Sequence, residues 1–162
     1  MSGIAVMLLM AAVATTVAPG DLIGQVVPPY PGGLVSQQGS CVSDRPGYDH
    51  LCDYAISVLA DGRGKPKYVV AEQSQGHQGD LPLWRVLDAI PYPTMEADAY
   101  LGHGTCRIHG EADSAIVAVV GYGGEVEWFD DVRQAWRLDF KQRRLVAIPV
   151  AGIQCANEGF GL

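Results

Sequence analysis

The chain reads as a mainly β domain, with α+β as the alternative: a small antiparallel sheet or sandwich of short strands and hairpins, at most one short helix, and two disulfides. Three observations point there. Apolar runs are short and alternating, and Gly, Pro and Asp turns interrupt them. Two hairpins are written out, around Asp61-Gly62-Arg63-Gly64 and around Lys141-Gln142-Arg143. Four cysteines, Cys41, Cys52, Cys106 and Cys155, make an even set in a short chain.

Residues 1–20 carry no charge, and Ile4 to Ala14 is apolar throughout. That length suits the core of an export signal and falls short of the roughly 20 apolar residues a membrane span needs. Cleavage could follow Ala12-Val13-Ala14 or Ala18-Pro19-Gly20, the first being preferred. Met1-Ser2-Gly3 lacks the basic residues usual ahead of such a core, and the alternative is a buried helix or strand that opens the domain. Residues 21–40, with Pro28, Pro29, Pro31 and a Ser-Gln-Gln-Gly-Ser run, read as a linker or a wrapped arm. Residues 41–162 are then a single disulfide-stabilised β-rich domain.

Within that domain Tyr54 to Ala60 and Lys67 to Glu72 form the first expected hairpin, and Trp84 to Ile90 a further strand stopped by Pro91 and Pro93. Ala115 to Val120 is apolar without interruption, as suits a central strand buried on both faces. Glu125 and Glu127 alternate with Val126 and Trp128 and read as one strand face. Phe129, Val132 and Trp136 fall at helical spacing behind Asp130 and Asp131, which marks the one helix candidate, with a loop as its alternative. Ala135 to Phe140 and Arg144 to Val150 make the second hairpin, with Trp136, Leu138 and Phe140 on its core face.

The cysteines pair best as Cys41–Cys52, closing a short loop, and Cys106–Cys155, tying the last segment to the central sheet; no C-x-x-C spacing suggests zinc. His103, Cys106 and His109 stand as H-x-x-C-x-x-H, but on a strand the two histidines lie about 20 Å apart with the cysteine on the other face, so no metal site is assigned. Ser74 lacks the first glycine of a nucleophile elbow, no phosphate-binding glycine fingerprint occurs, and Arg63 spoils a calcium loop. No catalytic residue and no cofactor is assigned on these grounds.

The net charge of −7 argues against nucleic acid as a partner. From Thr94 to Asp131 eight acids stand against Arg107 alone, whereas Arg133 to Arg144 holds five bases against Asp139 alone. Glu125, Glu127, Asp130 and Asp131 are therefore the candidate binding residues, for a basic protein partner. The expectation is a periplasmic or secreted, non-enzymatic binding module, of the inhibitor or immunity type, with no membrane span once the signal is removed. Its rival is an exported hydrolase that uses carboxylates and a histidine such as His103 or His77.

Overall fold

The computed structural model describes residues 16–161. The apolar centre of the expected export signal lies outside them. The described chain is mainly β: thirteen strands in three antiparallel sheets, with two disulfides and, among the described residues, no helix longer than the four-residue α1 (Pro19–Leu22). No helix among them is long and apolar enough to cross a membrane.

The first sheet has the order β1 (Val26–Val27), β5 (Leu81–Pro91), β4 (Pro66–Gln78), β3 (Tyr54–Ala60), β2 (Val35–Val42). The second runs β12 (Arg144–Ala147), β11 (Val132–Asp139), β9 (Ile116–Gly121), β6 (Ala99–His103), and the third runs β10 (Trp128–Phe129), β13 (Ile153–Ala156), β7 (Cys106–Ile108), β8 (Glu111–Ala112). Side-chain alternation stacks them. Ile56, Val58, Val69 and Ala71 of the first sheet meet Leu101, Val117, Val119 and Leu138 of the second in one apolar cluster. The other face of the second sheet, through Ile116, Ala118, Val120 and Ala135, meets Cys106, Phe129, Ile153 and Cys155 of the third.

Strand β9 is thus buried on both faces, which is why its sequence has no polar alternation. The first hairpin forms as expected, Val58 opposite Val69, with the Asp61 carboxylate accepting from the Arg63 and Lys65 amides in the turn. The second forms between β11 and β12, and Trp136, Leu138 and Phe140 face the first cluster together.

Residues 21–34 are a packed arm. Leu22, Val27 and Leu34 are buried against Leu59, Val70, Val86 and Ala89, on the face of the first sheet that the second does not cover. Val17 joins that cluster, and its carbonyl accepts from the Tyr68 hydroxyl. The Ser-Gln-Gln-Gly-Ser run, for all its polarity, is edge strand β2, paired with β3 from Val35 to Val42.

Two expectations need correction. Residues 129–136 are not helical: Phe129 ends β10 and Val132 begins β11. A bulge between Val132 and Gln134 puts Val132 and Ala135 on one face and Trp136 on the other, so the helical spacing of the apolar residues arises from a strand with one residue inserted. Glu125 and Glu127 also lie outside any strand, since β10 starts only at Trp128. Gly124, at φ +83°, turns the chain, and the Val126 amide bonds back to the Gly124 carbonyl.

Candidate functional site

The four acids singled out from sequence lie in the connection from β9 to β11, which includes β10. This loop is braced. The Asn157 side chain donates to the Val126 carbonyl at 2.8 Å, and the Asn157 amide donates to the Glu127 carbonyl at 2.8 Å. Beneath it Tyr100 stacks on Tyr122 with ring centres 5.1 Å apart, and Phe129 meets both edge-on at 6.0 and 6.1 Å. Arg107 lies 3.7 Å over the Trp128 ring and donates to Gln154.

The acids do not act as one group. Asp131 is committed to Arg133, 2.8 Å away, which also bonds Glu96 at 2.6 Å and Asp98 at 2.8 Å. Hydrogen bonding to this guanidinium holds the Asp98 carboxyl below its ordinary range, and the Asp98 and Asp131 carboxylates in turn raise Arg133. Arg137 likewise takes Asp113 at 2.6 Å. Two arginines of the basic stretch therefore engage Glu96, Asp98, Asp113 and Asp131 from within. Glu125, Glu127 and Asp130 are exposed and have no ion pair among the described residues. Exposed Tyr122, Val126 and Phe160 accompany them; Glu125 and Phe160 line one small depression.

His103, Cys106 and His109 diverge. Cys106 is bridged to Cys155; His109 stands against Gly152; His103 Nδ1 lies 2.9 Å from Ser40 Oγ across the edges of β6 and β2. Burial lowers the His103 pKa, opposed by the Glu158 carboxylate, which lines the same cleft of about 740 Å³. No hydrogen bond reaches the second ring nitrogen of His103 among the described residues. His77, near the end of β4, is exposed and does not line this cleft. Among the described residues no three His, Cys, Asp or Glu side chains converge as metal ligands would.

A third feature escapes sequence reading. Glu72, 1% exposed, accepts hydrogen bonds from Ser57 Oγ at 2.7 Å and from the Tyr30 hydroxyl at 2.8 Å. Burial pushes its carboxyl above the ordinary value against the pull of those two bonds, and burial beside Glu72 keeps the Tyr30 phenol protonated. The three groups line an apolar groove of about 620 Å³ between β2, the proline arm and Trp84. In sequence Glu72 looks like the polar end of a strand, because β4 has no visible continuation after it; the structure carries β4 on to Gln78. A single acid at the end of KYVVA carries no signal that a tyrosine 42 residues earlier will fold over it.

Comparison with known protein families, curated proteins and solved structures found no match for this chain.

Proposed function

We propose that the protein is an exported, non-enzymatic binding module that engages a basic protein partner through the β9–β11 connection, in the manner of an inhibitor or immunity-type protein. The observation that carries this reading is the company the free acids keep. Glu125, Glu127 and Asp130 have no counter-ion among the described residues and stand beside exposed Tyr122, Val126 and Phe160. Aromatic and apolar side chains ringed by charge of one sign are the composition of a recognition surface: the rings supply contact area and the acids steer and select. The aromatic stack beneath the loop and the Asn157 bonds lower the entropy cost of ordering it on binding. Two disulfides suit a protein that works in an oxidising compartment, which favours the periplasm or the exterior.

The test is affinity capture from envelope extract with the protein and with its Glu125→Lys, Glu127→Lys, Asp130→Lys variant. Asp131 is left intact because it braces Arg133. The expected result is a basic protein retained by the parent, lost with the triple reversal, and weakened by salt. Capture that ignores the reversal, or no specific capture, refutes the reading.

A second reading, an exported hydrolase, is favoured by the Ser40–His103 hydrogen bond in a cleft that also holds the Glu158 carboxylate. A neutral histidine beside a hydroxyl has the right protonation state for a general base, and burial favours that state here. Against it, among the described residues no group orients the far side of the ring. A fluorophosphonate probe that labels the protein but not its Ser40→Ala variant would establish the activity, and absence of labelling would dismiss it.

A further inference from the structure

The groove over Glu72 shares no residue with the acidic loop, and its chemistry points to a different kind of ligand. Strands β3 and β4 place Ser57 and Glu72 side by side on the face that the arm crosses. The arm places Tyr30 above them and Pro28 and Pro29 along one wall. Trp84 of β5, paired with Val27 just before the two prolines, lines the groove beside them.

Two facts about Glu72 decide what would fit. First, its two carboxyl oxygens lie 2.7 Å from the Ser57 hydroxyl and 2.8 Å from the Tyr30 hydroxyl, donors that support the ionised form against burial, and each oxygen keeps a second lone pair. Second, among the described residues it has no ion pair and no Lys, Arg or His lines the groove. A buried carboxylate without a counter-charge is costly, and a bound cation removes that cost. An anionic ligand would meet repulsion, and a neutral one would leave the charge uncompensated.

We infer that the groove binds a small organic cation with an apolar body. Its ammonium group meets Glu72, and its apolar part lies along Trp84, Pro28 and Pro29. Trp84 and Tyr30 are the aromatic side chains lining the groove, the residue types that such cations favour, and the volume is that of an ordinary small-molecule site.

The experiment titrates the full chain with 2-phenylethylamine, with neutral 2-phenylethanol and with anionic 3-phenylpropionate, followed by calorimetry and by tryptophan fluorescence. The expected result is saturable binding of the amine, about tenfold or more tighter than the alcohol, and no binding of the acid, since a charge-assisted hydrogen bond to a desolvated carboxylate contributes on that scale. Glu72→Gln should weaken the amine by about tenfold or more and leave the alcohol unchanged. Tyr30→Phe, which keeps the ring and leaves Glu72 in place, should retain the amine's preference over the alcohol. Amine affinity should fall as the pH drops through the range in which Glu72 protonates; Tyr30, the groove's other titratable group, stays neutral throughout that range. Equal binding of amine and alcohol, indifference to Glu72→Gln in a folded variant, loss of the amine's preference in Tyr30→Phe, or no saturable amine binding at millimolar concentration overturns the proposal.

Discussion

Replacing Cys106 and Cys155 together by alanine should cost this fold far more than replacing Cys41 and Cys52, and the structure sets the scale. The first bridge spans 49 residues and the second 11. Restricting the unfolded chain by loops of those lengths contributes about 4 and about 3 kcal/mol respectively on the loop-closure account. Burial widens the gap. Cys106 and Cys155 are 2% and 0% exposed within the cluster that joins the second and third sheets, whereas Cys41 and Cys52 are at the surface. Emptying the space of two buried sulfurs, which pack beside Gly102, adds about 1–2 kcal/mol. The expected costs are therefore about 5–6 kcal/mol for the buried pair and about 3 kcal/mol for the exposed one, against a total of about 5–15 kcal/mol for a domain of ordinary stability. Urea unfolding of the two double variants, followed by tryptophan fluorescence, measures both. Under limiting reductant the Cys41–Cys52 bridge should also open first, because its sulfurs are accessible to an attacking thiolate. Equal costs, or a larger cost for the short loop, would refute the claim that the third sheet is held by its own bridge and cluster.

Further outcomes follow from other parts of the molecule. Burial raises the Glu72 carboxyl, so the folded protein holds this proton to a higher pH than the unfolded chain; the parent should lose stability relative to Glu72→Gln as pH rises from about 4.3 through the folded value, and parallel stability–pH curves would contradict that. Arg133→Met leaves Glu96, Asp98 and Asp131 facing one another, so its melting temperature should fall at low ionic strength and recover in salt; a deficit that ignores salt would mean the guanidinium acts by packing. Gly104→Ala should destabilise by at least about 1 kcal/mol, because Gly104 has φ +77° and a Cβ there would sit 2.5 Å from Ser40 Cβ, a result readable by urea titration. If export processing occurs, amino-terminal sequencing should find Thr15 first rather than Asp21, since cutting at Asp21 would remove Val17, which packs on the arm's cluster, and Ala18, whose amide donates to Asp21.

The strand content of this chain was readable because local chemistry and tertiary environment agree along most of it. Asp61-Gly62 makes a turn wherever it is placed, AIVAVV can be satisfied only between two apolar layers, and WRLDF has one face to bury. The disulfide pairing expected from a short loop and a tie from the last segment to the central sheet is the pairing observed, but the second bridge joins β7 and β13 within the third sheet. Reading failed where one inserted residue or a distant neighbour decides the outcome. The bulge after Val132 made a strand resemble a helix, and β13 starts the strand it pairs with at Trp128, leaving Glu125 and Glu127 in the loop before it.

The acids fared similarly. Their number and position along the chain are written in the primary structure, but which of them are free depends on Arg133 and Arg137 reaching back over 35 and 24 residues to Asp98 and Asp113. The same holds for Glu72. Composition and periodicity suffice for a layered, disulfide-bonded β domain, because strands and turns answer to neighbours two to four residues away. Whether a carboxylate is solvated, paired or buried in a groove is an electrostatic matter of which distant groups the folded layers bring within a few ångströms, and only the tertiary structure decides it.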